Sequence, residues 1–221
     1  EDVNVKDVGL VVIYMFQLTA NNFHWDISKY YSGYNACLSI TIIPVIYQVL
    51  SKINGEYIFK LFLQLIFSIA PLVTYLLFKK YVGNSYAFLS SFFFMAQIPF
   101  IENLPAHIRT EIAFVFFALA MLVFFDDEID GLNKRILFLI FMFSVIVSHY
   151  TTAYIFLFLV IGCWLMVKLI KSLQSYKSNI TLTISILFFT VIFIWYSQVT
   201  EVPFNAGVNF FEQTFRNLGN F

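Results

Sequence analysis

Apolar runs alternate with short polar stretches along most of this chain, and the lengths of the runs sort them. YIFKLFLQLIFSIAPLVTYLLF (57–78), YAFLSSFFFMAQIPFI (86–101), IAFVFFALAMLVFF (112–125) and ITLTISILFFTVIFIWYS (180–197) each read as one membrane crossing. A hydrocarbon core about 30 Å thick asks for roughly 20 residues of helix. The run 136–170 is too long for that. As a single helix it would overshoot the bilayer by roughly 20 Å at 1.5 Å per residue. It therefore predicts a helical hairpin, turning at the polar pentad Ser148-His149-Tyr150-Thr151-Thr152. The fold class that follows is all-α: a polytopic transmembrane helical bundle over 57–197, with about six spans.

The first 56 residues mix polar and apolar sequence. GLVVIYMFQL (9–18) is too short to span, and Asn21-Asn22 closes it. ACLSITIIPVIYQVLSKI (36–53) is longer, but Pro44 and recurrent Thr, Gln and Ser interrupt it before Asn54-Gly55. Both are expected to lie along the membrane surface as interfacial helices. Residues 198–221 read as a polar, aromatic tail.

Composition strengthens this picture: 60% of residues are hydrophobic and 12% charged, against about 25% charged in soluble domains. A formal net charge of zero leaves no footprint for nucleic acid. Cys37 and Cys163 imply neither a disulfide frame nor a metal knuckle. The basic residues say more by their placement. Lys79, Lys80, Lys134, Arg135 and the lysines between 168 and 177 all fall at one end of a six-span bundle. The positive-inside rule makes that end cytoplasmic and puts residues 1–56, 102–111, the His149 turn and 198–221 outside, in a multi-pass protein of the cell membrane. The Asn179-Ile180-Thr181 sequon then falls inside and is discounted. The chain opens at Glu1 in polar sequence, without an initiator Met, so it is expected to be a piece of a longer protein.

Candidate chemistry collects in ENLPAHIRTE (102–111), where Glu102, His107, Arg109 and Glu111 lie between two apolar runs. Ionisable groups at the edge of hydrocarbon are costly and tend to face an aqueous cavity or a polar ligand. Two readings stand side by side. Arg109 either forks onto an anion or pairs with Glu102 or Glu111 to tie the loop down. His149, among Ser148, Tyr150 and two Thr residues, either caps its turn or points into the same outer cavity. DDEIDG (126–131) reads as a solvated inner loop, and Pro71 and Pro99 as kink points that can open a groove.

The order of these features resembles the GT-C glycosyltransferases, membrane enzymes that take sugars from polyprenyl-phosphate carriers. More closely, WD-x7-YNACLSITIIPVIY (25–47), AFLSSFFFMAQ (87–97), R-x-E-I-A (109–113) and SHYTTAYIF (148–156) resemble an archaeal family of multi-pass membrane proteins of unassigned activity with a GT-C-like plan. That resemblance implies catalysis at an acid in the first outer loop. Asp2, with Glu1 beside it, occupies that position. Val3 and Asn4 follow it, so there is no D-x-D pair, and a divalent cofactor, Mg or Mn, would draw on Asp2 and Glu102.

Glycosyl transfer needs a base for the acceptor hydroxyl, donors or cations for the departing phosphate, and a groove open to lipid. The expected roles are therefore Asp2 and Glu1 in catalysis, and Arg109, His107, Glu111, His149 and Tyr150 in binding a lipid-linked sugar among membrane lipids. The competing classes are a transporter or flippase for a lipid or solute, and a non-catalytic scaffold in envelope glycan assembly. Span interiors carrying Ser, Thr, Gln and Pro, with charges at their ends, rank the transporter below the enzyme.

Overall fold

The computed structural model describes residues 5–103, 108–170 and 182–218, and its regular structure is helical throughout those residues. In chain order the helices are α1 (Val5–Asn22), α2 (Ile42–Ser51), α3 (Gly55–Met95), α4 (Ile98–Asn103), α5 (Ile108–Phe125), α6 (Gly131–Ser148), α7 (Tyr150–Leu169), α8 (Leu182–Val199) and α9 (Val202–Leu218). Four of them, α3, α6, α7 and α8, are long and apolar enough to cross a membrane. The chain is an all-α polytopic membrane protein.

α3 is two arms. Its hydrogen-bonded run passes through Gly83, whose φ of 79° and ψ of 174° are not helical. Ser91 donates its hydroxyl to the Pro71 carbonyl at 2.7 Å. In a straight helix those two residues would stand about 30 Å apart, so the arms lie antiparallel. Glycine is required at the bend, because that φ,ψ combination is essentially closed to residues with a Cβ.

The run 136–170 does form a hairpin. His149 is the extended residue at its turn (φ −158°, ψ 117°), and Phe138 and Phe156 meet across the arms with ring centroids 5.9 Å apart. Phe156 is fully buried, with Phe117 of α5 and Phe188 of α8 each 5.0 Å from it. The core of the bundle is thus built from α5–α8 around this one ring. The outward faces carry Phe88, Phe93, Phe158 and Phe189, all exposed, as lipid-facing helices require.

The two ends of the bundle differ. At one end Lys80 pairs with Asp126 at 2.7 Å, Lys134 with Asp127 at 3.6 Å, and Asp130 caps α6 through the Leu132 N–H. At the other end residues 33–41 dock on the α6–α7 turn. There the Leu38 N–H donates to the Val147 carbonyl at 2.7 Å, and the Ser39 hydroxyl to the Ser148 carbonyl at 3.1 Å. The Tyr196 hydroxyl donates to Ile146 O at 2.6 Å, and Trp25 stacks on Trp195.

Several expected boundaries move. Helix α1 covers 18 residues where 9–18 was expected. Within 36–53 only Ile42–Ser51 is helical, and the residues before it form turns. Pro44 explains the late start, since proline is tolerated in the first turn of a helix but not within it. Arg109 and Glu111 lie in the first turn of α5 and not in a loop. The DDEIDG stretch is not merely solvated, because three of its acids clasp or cap neighbouring helices. Much of the tail 198–221 is the helix α9.

Candidate binding site at the Arg109 end of the bundle

The loop between α1 and α2 is shaped by one buried amide. Asn35, 1% exposed, donates its Nδ2 hydrogens to the carbonyls of Asp26 and Tyr30, both at 3.0 Å. Its own backbone carbonyl accepts from Trp25 Nε1 at 2.8 Å. A short 3-10 turn, Ile27–Lys29, capped by Asp26, completes the fold-back. The WD-x7-YN pattern therefore has a physical reason, because Trp25, Asp26 and Asn35 lock the loop so that Tyr34 is held against Arg109.

The Arg109 guanidinium carbon sits 3.9 Å from the centre of the Tyr34 ring and 5.7 Å from that of Tyr150. Both distances are within the reach of cation–π attraction. A cavity of about 370 Å³ opens here, lined by Tyr30, Ser32, Gly33, Tyr34, Arg109 and Tyr150, with Val11 of α1 and Pro203 of α9 at its rim. Arg109 Nη1 is buried without a hydrogen-bond partner, and Arg109 makes no ion pair among the described residues. The buried Cys37 thiol adjoins the guanidinium. An aromatic-walled cavity lined by a guanidinium that makes no ion pair among the described residues suits an anion attached to an apolar body.

The expected site residues separate. Arg109 and Tyr150 come together. His149 does not line this cavity: it is 8% exposed, and its Nδ1 lies 2.9 Å from Thr152 Oγ1. Glu111 points elsewhere, since two residues along a helix rotate a side chain by about 200°. It is 5% exposed, its oxygens form no hydrogen bond of ordinary geometry, and the polar group nearest in effect is Gln64 of α3. The alternative in which Arg109 pairs with Glu111 is thereby set aside. Glu1, Asp2 and His107 lie outside the described residues, as does the Glu102 side chain. Among the described residues no cluster of three or more His, Cys, Asp or Glu is arranged to hold a metal.

Tyr30, Tyr34 and Cys37 were not singled out by sequence reasoning. The available signal was the aromatic cluster YYSGY, whose partner cation lies far along the chain.

Residues 134–221 match the family model described as "Predicted membrane protein (DUF2206)". The match covers α6 onward, including the His149 hairpin and α9, and with the apolar helices it establishes a membrane protein. Neither a curated protein nor a solved structure matches the chain.

Proposed function

We propose that this chain is the membrane part of a glycosyltransferase of GT-C-like plan, taking a sugar from a polyprenyl-phosphate carrier at the outer face of the cell membrane. The observation that carries the reading is the Arg109 guanidinium, which lines a cavity beside two tyrosine rings and makes no ion pair among the described residues. A phosphate on a long isoprenoid is an anion attached to an apolar body, and this cavity offers a fork for the first and aromatic walls for the second. In the transfer, an acceptor hydroxyl oxygen attacks the anomeric carbon and the bond to the carrier phosphate breaks. The hydroxyl proton passes to a carboxylate base, for which Asp2 is the candidate. Arg109 stabilises the charge that develops on the departing phosphate.

Glu111 favours a second reading. Its carboxylate is buried at the start of the apolar helix α5 with no ion-pair partner among the described residues, and such a group is a common feature of membrane proteins that move a lipid or solute.

The test compares farnesyl phosphate with farnesol on the purified protein. Wild type should prefer the phosphate, and Arg109→Ala should remove that preference, at a cost on the order of 2–5 kcal/mol. Arg109→Lys should recover little, since an ammonium lacks the fork. An undiminished preference in Arg109→Ala would sink the proposal. Sugar transfer from a labelled polyprenyl-phosphate sugar, abolished in Asp2→Asn, separates the enzyme from a carrier that only binds.

A further inference from the structure

A second cavity, of about 760 Å³, lies between α1, α2 and the start of α3. The two cavities back onto different faces of α1: Val11 borders the Arg109 cavity, while Val12 and Phe16 line this one. Its lining is unusual in kind. Five carboxamides face it: Gln17 and Asn21, one turn apart on α1, Gln48 on α2, Asn54 before α3, and Gln64 on α3. Gln17, Asn21 and Gln48 make no side-chain hydrogen bonds with other described residues. Each presents both a donor and an acceptor to whatever enters. The charged side chains in the wall, Glu56 and Lys60, neutralise each other at 2.6 Å. Between the amides stand the rings of Phe16 and Phe59, edge to face at 5.3 Å. The segment Ile58–Phe62 is a π-helical turn, an insertion common at functional sites. Gly55 lets the Phe16 ring sit there, because a Cβ at that position would stand 2.6 Å from its Cε1.

Neutral amides that both give and accept hydrogen bonds, on a wall backed by two largely buried aromatic rings and with no net charge, match a ligand whose rim is hydroxyl groups and whose faces are C–H. They do not match a phosphate. We infer that this groove is a saccharide-binding site, separate from the phosphate site at Arg109. In a glycosyl transfer it would hold the sugar of the acceptor, and that last assignment alone rests on the function proposed above.

The experiment is saturation-transfer NMR on the purified full chain in phosphatidylcholine nanodiscs, with soluble head groups as probes. These are the methyl glycosides of glucose, galactose, mannose and N-acetylglucosamine, with choline phosphate as the charged control. At least one glycoside should bind, and Gln17→Leu with Gln48→Leu should weaken it roughly tenfold or more. Arg109→Ala should leave that binding unchanged. Thermal unfolding of the double variant checks the fold, and Asn21→Leu, on the exposed side of α1, gives an independent reading. The inference is overturned if no glycoside binds wild type, if the amide substitutions leave binding intact, or if choline phosphate binds with the same sensitivity, which would make the groove a lipid head-group site. Farnesyl phosphate binding, measured on the same samples, keeps failure of this site distinct from failure at Arg109.

Discussion

Arg109 illustrates how much a residue's role depends on what lies across from it. On α5 alone it is a charge in a first turn, two residues from an acid that could have neutralised it. In the folded chain Tyr34 takes the closer position, 3.9 Å from the guanidinium carbon, and Glu111 is turned towards Gln64. The ring face is the active ingredient, so Tyr34→Phe should hold farnesyl phosphate nearly as wild type does. Tyr34→Leu should weaken it by about 0.5–2 kcal/mol, the range of a partly desolvated cation–π contact. Equal binding by the two variants would show that the ring does not organise the guanidinium. His149 shows the converse. Its Nδ1 lies 2.9 Å from Thr152 Oγ1, three residues along, and the ring sits beside the cavity without lining it.

At the scale of elements, the two hairpins turn by different devices. The α6–α7 bend uses one extended residue, which any side chain can adopt. The α3 bend uses Gly83 at positive φ with nothing within 4 Å of its missing Cβ, so the obstacle to substitution there is backbone conformation and not space. Gly83→Ala should therefore cost about 1–3 kcal/mol, read as a lower unfolding midpoint in detergent. A neutral effect would mean the bend tolerates ordinary residues.

The clasp near this bend is electrostatic. The hydrogen bond from Lys80 holds the Asp126 carboxyl below its usual 3.8, and the Glu128 N–H lowers it further. A carboxyl whose folded value is depressed contributes stability that is complete above its unfolded value. That contribution fades as pH falls from about 3.8 through the lowered value. Asp126→Asn should flatten the acid limb of an unfolding-midpoint profile over that window. An acid limb unchanged in the variant would assign it to other groups.

Across the whole molecule, the helices sort polar features to opposite ends. Arg109, the 33–41 docking turns and the Tyr31–Glu201 hydrogen bond gather at one end, and the Lys80 and Lys134 ion pairs at the other. The basic end should face the cytoplasm. In a Cys163→Ser background, which leaves the buried Cys37, an impermeant maleimide added to intact cells should label Ser28→Cys and spare Glu128→Cys. The opposite pattern would invert the assignment and place the Arg109 cavity inside.

The sequence by itself determined what depends on runs of neighbouring residues. The apolar stretches mark the bundle helices, and the excess length of 136–170 requires a turn at the Ser148–Thr152 pentad, because bilayer thickness and helical rise set both. It also marked Arg109 and Tyr150 as residues to watch. Where helix and loop meet was less legible: proline tolerance in a first turn moved the start of α2, and a tail without long apolar runs concealed α9. Which polar groups share a cavity was decided only by tertiary structure. Tyr34 reaches Arg109 because Asn35 locks a loop that docks on the α6–α7 turn, and five amides from three helices and a linker converge because α1 lies across α2 and α3. Such meetings depend on distances between remote segments, and neither periodicity nor composition along the chain carries that information.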